Sequence, residues 1–330
     1  MRAIVVREYG GPEVLRLEEL PDPVPGPGEL LVRVAAAGIQ FIETRTRTGA
    51  LQGVSPVAPR ALPWIPGREV AGEVAAVGEG VDAGWLGSRV AGSAPGISGG
   101  YASLAVIEAA SAHRLPDGLA FPDAVSLLGT GGTALGLVEA AGVGEGDTVL
   151  VESAAGAVGL LSAQLARAAG AARVIGLAGG AEKVALVKEF GADAAIDYTD
   201  ADWPEQVRAA APEGVTVVFD GNGGEIGAQA FDLLAQGGRF VVFGFSSGKA
   251  TEPDPDAAAA RDISILSFFG PPTGLRSPGE RRRQTAQVIA EVAAGRLRPH
   301  VGRRFPLAQA AEAHAAITSR STVGKTVLEP

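Results

Sequence analysis

The chain has 330 residues, 46% of them hydrophobic and 20% charged, a size that exceeds what one hydrophobic core usually serves and so predicts two domains. A net charge of −9 opposes general attraction to nucleic acid or an anionic membrane, and the absence of cysteine excludes disulfides, thiolate metal sites and a cysteine nucleophile. No apolar run is long enough for a bilayer, and the opening MRAIVVREYGGPEVL lacks the layout of a secretion signal, so a cytoplasmic protein without a membrane span is expected.

The pattern changes near residue 120. Before it, Val- and Ile-rich runs such as LLVRVAAAG (30–38) and VAGEVAAVGEG (70–80) alternate with Pro/Gly turns such as PDPVPGPGE (21–29), which predicts short strands in a β-rich domain. From about Val125 onward strand-like and helix-like segments take turns. DTVLVES reads as a strand, and the next segment sets Val158, Leu161 and Leu165 on one helical face. ARVIGLA is a second strand, AEKVALVKEFG a helix with Val184, Val187 and Phe190 three apart, and DAAIDY a third strand. A helix from Asp202, the strand VTVVFDG, a helix over 226–235, and the strands GRFVVFGF and DISILSFFG complete the series. Strict β/α alternation predicts a doubly wound parallel sheet over 125–265.

Between the first strand and its helix the chain runs ESAAGAVG, with no bulky side chain where the turn falls. In a dinucleotide-binding unit one small residue permits the tight turn, a second lets the backbone reach the pyrophosphate, and a third lets helix and strand pack closely. Those roles fall to Ala154, Gly156 and Gly159, with Ala155, Ala157 and Val158 completing the turn. The helix start then offers unpaired N–H groups to phosphate oxygens. An acidic residue at the end of the second strand would bond the ribose hydroxyls of NAD, but VIGLAGGAEK places Ala178, Gly179 and Gly180 there with Lys183 close behind. NADPH is the expected cofactor.

Several segments occur in the order found in one family: PVPGPGELLVRVAAAGI, LPWIPGREVAGEVAAVGEGV, GGYASLAV, GTGGTALGLV, DTVLVESAAGAVGLLSAQLA, VVFDGNGG and the terminal STVGKTVLEP. In them the chain resembles the zinc-free quinone oxidoreductases of the medium-chain dehydrogenase/reductase superfamily, the zeta-crystallin group. The resemblance implies a GroES-like catalytic domain built from both chain ends, 1–124 and 266–330, and a Rossmann domain between them over 125–265. It also implies a 2′-phosphate clamp of Lys183, Tyr198 and Arg320, further cofactor contacts at Asn222, and a nicotinamide side made by Thr133, Phe243, Gly244, Phe245, Phe269 and Gly270. Zinc-dependent relatives carry a metal-binding His within a GHE segment, whereas this sequence has Gly67-Arg68-Glu69, and no metal site is expected. Glu69 is expected to be either structural, paired to a neighbouring donor, or a proton-transfer group.

On the substrate side the relatives place Asn and, five residues on, Tyr; here IQFIETR gives Gln40 and Arg45. Gln40 can hydrogen-bond the nicotinamide ribose or a substrate carbonyl, and Arg45 can stabilise an oxyanion without donating a proton. Together with Thr133 these form the candidate catalytic set. The expected reaction is hydride transfer from NADPH to a small-molecule quinone or conjugated enone. Two other functions stay open: an enoyl-thioester reductase, and a non-catalytic NADPH-binding protein of the crystallin or RNA-binding kind. His113, His300 and His314 read as surface or packing residues, and GERRRQ (279–284) as a solvated helix start. The hydrophobic strand DISILSFFG would end the sheet, and such an edge invites pairing, so a homodimer is expected.

Overall fold

The computed structural model describes residues 1–53, 61–95, 98–268 and 277–330. By packing, the chain divides into two compact units, Met1–Gly129 with His300–Pro330, and Thr130–Pro299. The change in element pattern and the family resemblance place these limits at 124/125 and 265/266. The second limit lies later because the helix Pro278–Ala293 and the segment after it pack on the middle unit: Arg283 Nη2 bonds Glu139 Oε2 at 2.6 Å, and Arg298 N–H bonds Gln164 Oε1 at 2.9 Å. That helix starts on a capping box in which Ser277 Oγ accepts from Glu280 N–H and the Glu280 carboxylate accepts from Ser277 N–H.

The first unit holds a mixed seven-stranded sheet. Its order is Val301–Pro306, Lys325–Glu329, Glu29–Ile39, Glu69–Val77, Arg89–Ser93 and His113–Arg114, with Leu104–Glu108 pairing separately along Glu29–Ile39. Alternation decides which side is core: Leu30, Val32 and Val34 point inward with Ile4, Val70, Val74, Val90 and Ile107, while Arg33 faces out. The C-terminal strand Lys325–Glu329 pairs antiparallel with Glu29–Ile39, Thr326 opposite Ile39, and Gly38 in turn lies opposite Glu69. This register sets Lys325 beside Glu69, 256 residues away in sequence.

The second unit is a six-stranded sheet, parallel throughout. Numbered along the chain, its strands are Thr148–Val151, Arg173–Ala178, Ala194–Asp197, Val215–Asp220, Leu234–Val242 and Ser264–Ser267, and their spatial order is 3-2-1-4-5-6. This is the Rossmann order, in which the crevice beyond the carboxyl ends of strands one and four is the place where ligands bind. Val149, Leu150, Val151, Val217, Val218 and Phe219 are all fully buried, as strands covered on both faces require. One element ends earlier than its periodicity predicts. The helix expected over 226–235 is Gly224–Asp232, because Leu234 joins the ladder opposite Val215 before an irregularity brings Arg239 opposite Val217. No helix among the described residues is long and apolar enough to cross a membrane.

Candidate functional site

In the first unit the strand Glu29–Ile39 ends at Gln40, which starts the helix Phe41–Arg47. Gln40 Nε2 donates to Glu69 Oε1 at 2.5 Å, the same oxygen accepts the Gly129 N–H at 2.8 Å, and Lys325 Nζ lies 2.5 Å from Glu69 Oε2. Both partners of the ion pair are almost wholly buried, and Gly38 makes room for them: a Cβ there would stand 2.8 Å from Lys325 Cε and 2.9 Å from Glu69 Oε2. Glu69 is therefore fully engaged as an acceptor, and it fixes the amide of Gln40. On the same helix Arg45 is exposed, whereas Glu43, Thr44, Thr46 and Arg47 are buried.

Behind this lies a second buried network. Arg47 Nη1 lies 3.3 Å from His314 Nδ1, His314 Nε2 lies 3.1 Å from Tyr101 Oη, and Tyr101 O–H donates to Glu43 Oε2 at 2.6 Å. Arginine can only donate, so Nδ1 accepts and Nε2 carries the proton toward Tyr101. Burial, assisted by Arg47, lowers the His314 pKa to about 3, so the ring is neutral. Burial raises the Glu43 carboxyl to about 7 against the opposing bonds from Tyr101 and the Gln40 N–H. Glu43 Oε2 also accepts that Gln40 N–H at 2.9 Å, and Oε1 accepts the Arg68 N–H at 3.1 Å. Gln40 is thus held at its side chain by Glu69 and at its backbone by Glu43.

In the second unit the small-residue turn follows Thr148–Val151 and opens the helix Ala157–Ala168. A Cβ on Gly159 would stand 2.5 Å from Ala154 Cα, so Gly159 sets how closely helix and strand pack. A Cβ on Gly156 would meet only Ser153 O, at 3.2 Å, which leaves that backbone open to approach. The first bond into the helix runs from Leu160 N–H to Gly156 O, so Ala157, Val158 and Gly159 have no intrahelical acceptor for their N–H groups. Ala154 and Ala155 are buried under the turn. The turn suits a pyrophosphate in shape and in polarity.

At the end of the second strand a Cβ on Gly179 would lie 3.0 Å from the Tyr198 hydroxyl, so these two expected cofactor residues are adjacent, and Lys183 sits in the first turn of the helix Ala181–Glu189. Asp197, which the sequence did not single out, accepts the Gly180 N–H at 2.9 Å and bonds Thr199, contacts that hold its carboxyl below the usual range. Asp197 thereby shapes the Gly179–Gly180 turn. Across the crevice Ser153 Oγ donates to Asn222 Oδ1, and Phe243 covers Gly221, where a Cβ would stand 2.5 Å from the ring. The Phe243 and Gly244 N–H groups bond Asp220 O, and Phe245 lies against Gly223. Thr133 lies on the helix Gly129–Ala141, and Arg320 follows the helix Ala310–Thr318 with φ 56°. Phe269 and Gly270 lie outside the described residues.

Comparison with known proteins agrees with this geometry. Residues 26–117 match the alcohol dehydrogenase GroES-like domain, and 157–290 the zinc-binding dehydrogenase domain. The rat quinone oxidoreductase is 34% identical over 99% of this chain and 97% of its own length. The chain belongs to the quinone oxidoreductase family of the medium-chain dehydrogenases/reductases. Among solved structures, the Escherichia coli quinone oxidoreductase complexed with NADPH superimposes with a TM-score of 0.89 at 30% identity, covering all of both chains. A mycobacterial protein complexed with NADPH gives 0.87 at 36% identity, again over both whole chains.

As a quinone oxidoreductase family member, the chain is an oxidoreductase. Among the described residues no group of three or more His, Asp or Glu could hold a metal ion. Sequence reasoning missed Glu43, Tyr101, Lys325, Glu152 and Asp220. All but Glu43, which lies in the polar run ETRTR, carried one weak signal, an ionisable or hydroxyl group inside an otherwise apolar or Gly-rich run.

Proposed function

We propose that this quinone oxidoreductase family member is an NADPH-dependent, zinc-independent enzyme of the cytoplasm that reduces a quinone or a conjugated enone. The observation that carries the reading is the state of Glu69. Its two oxygens are taken by Lys325, Gln40 and Gly129, its neighbour is Arg68, and the chain contains no cysteine, so the donor set for a catalytic zinc is missing. An alcohol would then have no Lewis acid to polarise it, whereas an electron-poor acceptor needs none. The NADPH complexes of the E. coli and mycobacterial relatives support the cofactor assignment, as does a second-strand turn with no carboxylate in its sequence between Ala178 and Gly180.

When bound, NADPH supplies the hydride. The chain's own part is to hold and orient. The N–H groups of Ala157, Val158 and Gly159 take the pyrophosphate, and Lys183 with Tyr198 and Arg320 takes the 2′-phosphate through charge-assisted bonds. Asn222, Phe243, Gly244, Phe245 and Thr133 serve the nicotinamide end. Gln40, fixed by Glu69 and Glu43, orients the reacting carbonyl or the ribose, and Arg45 stabilises the negative charge that develops on the acceptor oxygen before water protonates it. The edge strand Ser264–Ser267, with Ile265 exposed, pairs with its two-fold mate in a homodimer.

The test is NADPH oxidation against ortho- and para-quinones, enones and a crotonyl thioester, before and after EDTA. Turnover of quinones or enones at rates unchanged by EDTA is expected. Turnover of the thioester alone, or loss with EDTA and recovery with zinc, contradicts the proposal.

A further inference from the structure

Two carboxyl groups that the proposed chemistry does not use meet beneath the dinucleotide turn. Glu152 directly follows the strand Thr148–Val151, and Asp220 ends the neighbouring strand Val215–Asp220. Phe219 lies opposite Val151, so the parallel register carries Glu152 and Asp220 to the same level. Both are 0% exposed. Glu152 Oε2 accepts the Asn222 N–H at 3.0 Å, and Asp220 Oδ1 accepts the Gly223 N–H at 2.8 Å. The remaining oxygens, Glu152 Oε1 and Asp220 Oδ2, are buried with no hydrogen-bond partner. Two buried carboxyls at one level of adjacent strands can bond each other only through a proton, and among the described residues neither group is in an ion pair. The charge of Asp220 beside it disfavours ionisation of Glu152.

We propose that Glu152 and Asp220 share one core proton, and that the pair is a positioning element for the cofactor, holding the turns after strands one and four and the Phe243–Phe245 segment in register. Three connections carry it. Glu152 precedes Ser153, whose backbone has φ 49° and whose hydroxyl bonds Asn222, so the turn is held in a conformation a serine rarely adopts. Asp220 offers its carbonyl to the N–H groups of Phe243 and Gly244 and its carboxyl to that of Gly223. The next links run from Ser246 N–H to Gly221 O and from Ser247 N–H to Asn222 O. A second negative charge at this point would part the two strand ends on which all three segments depend. The positioning role rests on reading these segments as the dinucleotide site, whereas the shared proton does not.

The sign of the pH effect follows from the cause. Burial, reinforced by Asp220, raises the Glu152 pKa well above its ordinary value. The folded chain keeps a proton that the unfolded chain releases, so the stability it contributes is complete at acid pH and declines as pH rises. Glu152→Gln supplies the donor permanently and carries no such penalty. Thermal unfolding of the full chain from pH 5 to 9 is therefore expected to show a Glu152→Gln variant whose midpoint gains on the wild type as pH rises. NADPH fluorescence titration is expected to show near-wild-type affinity for Glu152→Gln and at least tenfold weaker binding for Glu152→Ala. A midpoint difference that is flat with pH overturns the shared proton. Glutamine that loses as much affinity as alanine overturns the positioning role, and if Glu152→Ala does not fold, Asp220→Asn takes its place with near-wild-type affinity expected and tenfold loss contradicting. A wild type that does not bind NADPH at all removes the dinucleotide reading and the positioning role with it, while the midpoint series still decides whether the proton is shared.

Discussion

At the scale of single residues the site is governed by where buried charges find partners. Glu69 and Lys325 are paired at 2.5 Å with almost no exposure, a geometry in which the pair itself adds little over apolar packing but the loss of one member is costly. Lys325→Met is expected to destabilise the protein by about 3–5 kcal/mol, and adding Glu69→Gln should recover a large part of that loss. Urea unfolding of the two single variants and the double checks this; a Lys325→Met change near zero contradicts it. Little of this was legible in the sequence. In GREVAG and STVGKTVLEP, Glu69 and Lys325 each open an apolar strand, but nothing local says that the two meet, because the contact depends on the C-terminal strand lying beside Glu29–Ile39. The same holds for His314, which joins Arg47 and Tyr101 across 267 and 213 residues, and which its sequence neighbours mark only as a helix residue.

Elements were easier to read, because their signals are local. Strands such as Thr148–Val151 announce themselves by continuous branched residues, and the turn that follows by lacking bulk. The structure explains each small residue in turn, with Gly159 against Ala154, Gly156 open, and Gly179 under the Tyr198 hydroxyl. A side chain at Gly159 must displace backbone atoms 2.5 Å away, which no rotamer relieves. Gly159→Val is expected to lower the midpoint of unfolding and to abolish measurable NADPH binding, whereas Gly156→Ala, where space is larger, should fold normally and lose cofactor affinity alone. Calorimetric titration with NADPH reads both, and normal binding by Gly159→Val would contradict the packing argument. Reading was poorer where a ladder overrides periodicity. The apolar spacing that continues a helix to 235 also suits Leu234 as a strand residue, and pairing with Val215 decides the matter. Asp197 was likewise hidden, since an acid after a strand gives no hint that it will hold the N–H of Gly180.

For the whole molecule, alternation of elements was enough to predict a Rossmann sheet, and the family likeness enough to predict that both chain ends share one β-rich unit. The limit near 265 was not readable, because the helix Pro278–Ala293 joins the middle unit through Glu139 and the segment after it through Gln164, residues more than a hundred positions earlier. The proposed homodimer rests on the edge strand Ser264–Ser267, which ends the sheet among the described residues. Light scattering at micromolar protein is expected to give twice the mass of one chain, and a monomer would contradict the pairing of that edge. The account as a whole stands on the dinucleotide site and the chemistry it serves. Its most direct test is the ratio of kcat/KM for NADPH and NADH with one ortho-quinone acceptor, in the wild type and in Lys183→Ala. The account predicts a strong preference for NADPH that falls roughly tenfold or more in the variant, the size expected for losing a bond to a charged phosphate. Equal use of both cofactors by the wild type, or NADPH that binds without being oxidised, would contradict it.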